Sequence, residues 1–212
     1  MEFIDPAIEE YARLFSDPES DLLKELDRET HAMILQPRML SGHLQGRFLS
    51  FISKILRPNL ILEIGTYTGY SALCLAEGLR PEGKIITLDV NEELEKFTRS
   101  FFDRSGFAPQ IDYRIADAKN EIPTIAGPFD LVFIDADKRN YALYFDLVIQ
   151  KMNAGGIILV DNVLWSGKIV DEKAQDKSTQ ALRDFNQKCL EDPRVEKVLL
   201  PLRDGLLMMR VI

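Results

Sequence analysis

Cysteine and histidine are scarce. The 212 residues hold two of each: Cys74 and Cys189, His31 and His43. That density excludes a disulfide framework and makes a zinc site improbable. Cys74 lies in the apolar run Leu73-Cys74-Leu75-Ala76 and reads as a buried thiol. His43 reads as a capping or core histidine rather than a base. Basic charge is also short. There are 26 Lys and Arg against 34 Asp and Glu, a net charge of −8. An acidic chain repels phosphate backbones, and no block of Lys and Arg relieves this, so nucleic acid is a disfavoured partner. No apolar run is long enough to span a bilayer. Met1-Glu2-Phe3-Ile4-Asp5-Pro6 lacks the basic region and apolar stretch of a signal peptide. These absences point to a cytoplasmic chain with no membrane partner. Internal repeats and Pro/Gly/Ser linkers are missing too, so residues 1–212 read as one domain.

What is present is ordinary globular material, 46% hydrophobic and 28% charged. Residues 1–57 read as a helical segment. Asp5-Pro6 is a helix start with proline at the first position, and Ser16-Asp17-Pro18-Glu19 repeats the signal. A third helix is expected from Ser41 to Pro58, with Leu44, Phe48, Phe51, Ile52, Ile55 and Leu56 on its apolar face. Residues 58–212 change texture. Short apolar runs at Leu60–Ile64, Lys84–Asp89, Ile111–Ala116, Asp130–Asp135 and Gly156–Asp161 alternate with helical patterns. Arg203-Asp204-Gly205 then joins Val195–Pro201 to Leu206–Ile212 as a hairpin. The expected fold is α/β and Rossmann-like: a mostly parallel seven-stranded sheet with one antiparallel strand, helices on both faces and extra N-terminal helices.

In such sheets ligands bind at the carboxyl ends of the strands. Here those ends are acidic or glycine-rich: Glu63-Ile64-Gly65, Asp89, Asp117-Ala118, Asp135-Ala136-Asp137-Lys138 and Asp161-Asn162. So many carboxylates on one edge would repel one another unless they serve a ligand or a metal. Glu63 to Ser71 is a strand, a glycine turn and a helix start. Its glycines are not spaced as GxGxxG, and Tyr67 sits inside the turn. A dinucleotide pyrophosphate wants small residues there, so a nucleoside without phosphates fits better and a nicotinamide oxidoreductase is disfavoured. Asp89 ends the second strand, where a carboxylate can bond both ribose hydroxyls.

Leu62-Glu63-Ile64-Gly65-Thr66-Tyr67-Thr68-Gly69-Tyr70-Ser71 resembles the first motif of class I S-adenosylmethionine-dependent methyltransferases. More narrowly it resembles the cation-dependent catechol and caffeoyl-coenzyme A O-methyltransferases. Arg38 to Gly46 is similar to the segment that lies over the cofactor in bacterial members. Phe133 to Lys138 and Val160 to Gly167 are similar to the family's metal motifs. The resemblance implies a methyl transfer from S-adenosylmethionine to a hydroxyl of a catechol-type diol, leaving S-adenosylhomocysteine. It implies cofactor contacts from Met39, Ser41, Glu63, Gly65, Thr66, Tyr67, Ser71, Asp89, Asp117, Ala118, Asp135 and Asp137. It also implies a metal on Asp135, Asp161 and Asn162. Two carboxylates and an amide suit a hard cation, Mg²⁺ first, with Mn²⁺ or Ca²⁺ as substitutes. Lys138 and Asp135 are the implied catalytic residues. An ammonium beside a dication is disfavoured, which makes Lys138 the candidate proton acceptor. Trp165 and Ser166 join Lys138 as candidate acceptor contacts, although Trp165 also reads as a partly buried core residue. Residues 1–45 and the loop Ser166–Lys177 are expected to set acceptor choice. Family members form dimers. Some methylate a hydroxyuridine in transfer RNA, which is the alternative activity. Tyr141 is left to packing.

Overall fold

A computed structural model of the chain describes residues 4–212. Met1, Glu2 and Phe3, part of the segment read for a targeting signal, lie outside the described residues. The seven strands form one sheet in the order β3-β2-β1-β4-β5-β7-β6. They are β1 (Leu60–Ile64), β2 (Lys84–Asp89), β3 (Ile111–Ile115), β4 (Phe129–Ile134), β5 (Met152–Val160), β6 (Val195–Leu200) and β7 (Leu206–Val211). Chain contacts divide into two compact units, residues 4–117 and residues 118–212. No helix among the described residues is long and apolar enough to cross a membrane.

In residues 4–117 the strands β1, β2 and β3 pair in parallel, with Ile64 opposite Leu88 and Asp89 opposite Ile115. Parallel strands are covered on both faces, which is why Ile61, Leu62, Ile85 and Leu88 form nearly unbroken buried apolar runs. Before them come α1 (Pro6–Leu14), α2 (Asp21–Met33) and α3 (Gly42–Leu56); α4 (Tyr70–Ala76) follows β1 and α5 (Glu95–Arg104) follows β2. The Asp5 carboxylate accepts from Ala7 N at 2.8 Å, capping α1 as its sequence predicts. α2 starts at Asp21 under the cap Ser20, later than Asp17-Pro18 suggests. The residues before it are tied down as a strap. Asp17 O accepts from His43 Nε2 at 2.8 Å, and Glu19 accepts the Tyr70 hydroxyl.

The expected apolar face of α3 is a correction. Its buried face is Gln45, Gly46, Leu49, Ser50 and Ser53, whereas Phe51 and Ile55 are 66% and 65% exposed. Small residues win because α4 (Tyr70–Ala76) lies very close. A Cβ on Gly46 would meet the Tyr70 ring at 2.5 Å and Cys74 Sγ at 2.9 Å. Polar side chains then find partners across the contact. Ser53 Oγ donates to Leu75 O at 2.6 Å, and Glu77 collects Arg47, Ser50 and Lys54 at 2.7–3.0 Å. Burial opposes ionisation of Glu77, but those three donors outweigh it and hold its carboxyl at about 2.

A group whose folded pKa is depressed stabilises the fold above its unfolded value and loses that contribution as pH falls through the folded one. Glu77 should therefore contribute on the order of 2 kcal/mol at neutral pH, lost between about pH 4.5 and 2. Glu77→Gln should lower the melting temperature at pH 7 and flatten its fall across that acid window, as read by scanning calorimetry.

In residues 118–212, β4 and β5 are parallel, and β7 runs antiparallel to both β5 and β6. That is the single reversed strand the terminal hairpin implies. β5 starts at Met152, four residues earlier than its apolar run, and a register shift against β4 absorbs the Asn153–Gly156 stretch. The helices here are α6 (Ala118–Glu121), α7 (Tyr141–Ile149) and α8 (Lys177–Glu191).

Candidate active site

The turn after β1 is built from left-handed backbone. Gly65, Tyr67 and Gly69 have φ of 100°, 51° and 90°. Gly69 tolerates no side chain, because an added Cβ would meet the Phe102 ring at 2.5 Å. Tyr67 is held in its unusual conformation from three sides. Its N–H donates to Asp89 Oδ2 at 2.6 Å, its carbonyl accepts from Thr98 Oγ1 at 2.9 Å, and its hydroxyl donates to Gln36 O at 2.9 Å. Asp89 Oδ1 accepts from Asn91 N at 2.9 Å, so both carboxylate oxygens are fixed by backbone amides at the end of β2.

Glu63 is fully buried, and the Thr87 hydroxyl opposite it in register donates to its Oε2. Thr87 also bonds Thr66 Oγ1 at 2.5 Å, so Glu63, Thr87 and Thr66 form one chain of hydrogen bonds beneath the turn. Ser71 lies in the first turn of α4 and is 6% exposed. Met39 ends a short 3₁₀ turn and is 51% exposed. Ser41 precedes α3, buried and without a side-chain capping bond. Asp117 follows β3, and Ala118 opens α6, almost fully buried.

The second group lies after β4 and β5. Ile134 and Val160 pair in register, and Asp161 N donates to Ile134 O at 2.9 Å. Asp135 and Asp161 therefore leave adjacent parallel strands at the same level. Asp161 is 1% exposed, and its Oδ1 accepts from Asn162 N at 2.8 Å. Asn162 has φ of 60°, a conformation Asn tolerates better than other residues with a side chain. Among the described residues no three His, Cys, Asp or Glu side chains gather as a metal group. The set read from the sequence is two carboxylates and an amide.

Lys138 Nζ donates to Asp135 Oδ1 at 2.9 Å and to the Tyr141 hydroxyl at 2.7 Å. It pairs with Asp135, not with the adjacent Asp137. The Asp137 carboxylate is taken by the Tyr144 hydroxyl at 2.5 Å and by the Asn140 amide. Trp165 places its ring centroid 6.0 Å from Lys138 Nζ, within cation–π range. Ser166 is exposed beside it.

Three residues here escape a reading by motif. Tyr141 does pack, edge-on against Phe185, but its hydroxyl also donates to Asp161 O at 3.1 Å while receiving Lys138. Burial, then the charges of Asp135 and Asp161, push its pKa well above the usual value, so it remains a hydroxyl. A buried tyrosine hydroxyl needs a partner, and the spacing from Lys138 is the signal that would have found it. Arg183 on α8 donates to the carbonyls of Lys168, Ile169, Asp171 and Ala174 at 2.6–3.1 Å. One guanidinium thus gathers most of the loop that the sequence reads as acceptor-selecting. Asp204, from the β6–β7 turn, reaches Ser166 N.

Residues 13–212 match the family model described as O-methyltransferase. Caffeoyl-CoA O-methyltransferase 1 of Arabidopsis thaliana is 36% identical over 211 residues, covering 92% of this chain and 78% of that one. Catechol O-methyltransferase domain-containing protein 1 of Mus musculus is 34% identical over 167 residues, covering 76% of this chain and 64% of that one. The S-adenosylhomocysteine-bound methyltransferase of Podospora anserina superposes with a TM-score of 0.90 at 31% identity, covering 100% of each chain. The chain belongs to the O-methyltransferase family.

Proposed function

We propose that this chain transfers a methyl group from S-adenosylmethionine to one hydroxyl of a small aromatic vicinal diol beside a divalent cation, releasing S-adenosylhomocysteine. The observation that carries the reading is the level pair Asp135 and Asp161 with Asn162 beside them and Lys138 fixed between Asp135 and Tyr141. Hard oxygen donors on adjacent strand ends fit Mg²⁺, with Mn²⁺ or Ca²⁺ as substitutes. Such an ion would lower the pKa of a phenol, ordinarily about 10, and hold its oxygen. Lys138 accepts the released proton at Nζ, and Tyr141 keeps that nitrogen in place. Asp89 receives the ribose hydroxyls. Met39, Ser41, Glu63, Gly65, Thr66, Tyr67, Ser71, Asp117, Ala118, Asp135 and Asp137 complete the cofactor contacts. Trp165 and Ser166 border the acceptor.

The cofactor reading is supported by the S-adenosylhomocysteine named with the Podospora protein, and the diol by the caffeoyl and catechol names of the relatives. The reading includes one methyltransferase domain, with residues 1–57 as its helical segment and 58–212 as its core, in the cytoplasm. It also includes a homodimer, supported by the exposed Ile8, Tyr11, Leu14 and Phe15 of the N-terminal region and Phe51 and Ile55 of α3.

Methyl transfer to caffeic acid, caffeoyl-coenzyme A and catechol, with Mg²⁺ and with EDTA, tests the reading. Turnover should appear with Mg²⁺ and vanish in EDTA. Cofactor binding with no turnover on any diol would refute it and direct the search to hydroxylated transfer RNA. Lys138→Ala should lower kcat roughly 100-fold at pH 7 and recover part of the loss at higher pH, where the diol ionises unaided. An unchanged rate and pH profile would remove Lys138 as the base.

A further inference from the structure

Residues 162–167 are an unusual stretch of backbone. Asn162, Trp165, Ser166 and Gly167 all have positive φ, at 60°, 50°, 53° and 80°. L-residues hold such conformations only where the surroundings over-determine them. The internal bonds are few: Trp165 N to Asn162 O at 3.2 Å and Gly167 N to Leu164 O at 3.0 Å. Asp161 Oδ1 accepts from Asn162 N at 2.8 Å and Asn186 Nδ2 on α8 donates to Val163 O at 3.0 Å; the other partners come from the turn between β6 and β7. Asp204 O accepts from Leu164 N at 2.9 Å, Gly205 O accepts from Val163 N at 3.1 Å, and the Asp204 carboxylate accepts from Ser166 N. Three amides of the stretch thus end on two residues of the turn.

The fit is tight. Gly205 has φ of 88°, and an added Cβ would meet Leu164 Cγ at 2.4 Å and Leu164 N at 2.9 Å. Burial raises the Asp204 carboxyl above its usual value, partly offset by the Ser166 amide and then by the Lys138 charge. Trp165 Nε1 is buried with no hydrogen-bond partner among the described residues. Its ring is therefore not aimed by a bond of its own. Lys138 Nζ and Lys168 Nζ lie 6.0 and 5.9 Å from the ring centroid, and the backbone turn carries the side chain between them.

From this we infer that Asp204 is a positioning residue: it clamps residues 162–167 so that the Trp165 ring stands beside Lys138 as a fixed wall for a planar acceptor. The clamp rests on residues 162–211 alone; the planar acceptor rests on the function proposed above. A preformed wall lowers the ordering cost of binding, so losing the clamp should weaken the acceptor and spare the cofactor.

Trp165 is the only tryptophan, so its fluorescence reports the clamp without any assay of activity. In full-length Asp204→Ala its emission should move to longer wavelength, and acrylamide quenching should rise about twofold, on the scale expected when an indole loses a fixed site. KM for the diol should rise about tenfold, with KM for S-adenosylmethionine within about twofold, as expected for lost acceptor binding. Asp204→Asn keeps an acceptor for Ser166 N and should restore both signals. Unchanged emission and quenching in a folded Asp204→Ala protein would overturn the clamp, as would failure of the asparagine variant to restore them. If Asp204→Ala does not fold, hydrogen exchange on the wild-type protein decides: a protected Ser166 amide supports the clamp, and free exchange refutes it. Moved Trp165 signals in a protein that methylates no diol would support the clamp and refute the diol reading alone.

Discussion

On the proposed metal role, Asp161→Ala is expected to lower methyl transfer at least about 1,000-fold, some 4 kcal/mol of transition-state stabilisation. Affinity for S-adenosylhomocysteine should stay within about threefold. The reason lies in where Asp161 sits. It leaves β5 level with Asp135, 1% exposed, and its Oδ1 fixes the amide of Asn162 in a left-handed conformation. The substitution removes one of two carboxylates offered to a dication and also frees the third donor. Coulomb attraction between a carboxylate and a dication is strong where water is excluded, so losing one of the two carboxylates would cost far more than one ordinary hydrogen bond. Asp161→Asn separates the two effects. It keeps an oxygen acceptor for Asn162 N and loses the charge, so its rate should lie between wild type and alanine. Mg²⁺ activation curves and calorimetry with S-adenosylhomocysteine check both halves. Loss of cofactor affinity in Asp161→Ala would mean that the metal and cofactor roles had been assigned to the wrong residues.

The parallel strands were the most legible part of this chain. β1 and β2 lie where their apolar runs do, because strands covered on both faces leave no polar alternation to confuse the pattern. The strand ends carried the acidic residues in plain view. α3 departs from its pattern for the opposite reason. A tight helix contact rewards small residues, so Gly46, Ser50 and Ser53 face inward while Phe51 and Ile55 face out, against simple hydrophobic periodicity. α2 starts later than its local signal because Asp17 and Glu19 are held by His43 and Tyr70, partners far along the chain. Long separation also hid Asp204, which meets Ser166 across 38 residues, and Arg183, which reaches back 15 residues to Lys168. No local period or motif spacing encodes such contacts. Only the folded backbone brings them together.

On the proposed ribose role, Asp89→Ala should raise the Kd for S-adenosylhomocysteine at least about 100-fold and leave the proposed Mg²⁺ requirement of the residual activity unchanged. The two carboxylate oxygens already accept from Tyr67 N at 2.6 Å and Asn91 N at 2.9 Å. Each oxygen keeps further acceptor capacity, matched by the two hydroxyls of a ribose. Hydrogen bonds to a charged group contribute about 1.5–3 kcal/mol each, so two of them at the low end account for a loss of at least this size. A second cost adds to it. Without Asp89, Tyr67 loses one of the three contacts that hold φ at 51°, and the turn relaxes away from the shape that receives the ligand. Asp89→Asn retains one acceptor oxygen and should recover only part of the affinity. Glu in place of Asp89 keeps the charge but moves it one methylene outward, so it should bind hardly better than alanine if the amide contacts matter. Calorimetric titration of the three variants orders them. Equal affinity in wild type and Asp89→Ala would show that the ribose is held elsewhere, while a glutamate variant as tight as wild type would show that charge alone, not the fixed turn, carries the binding.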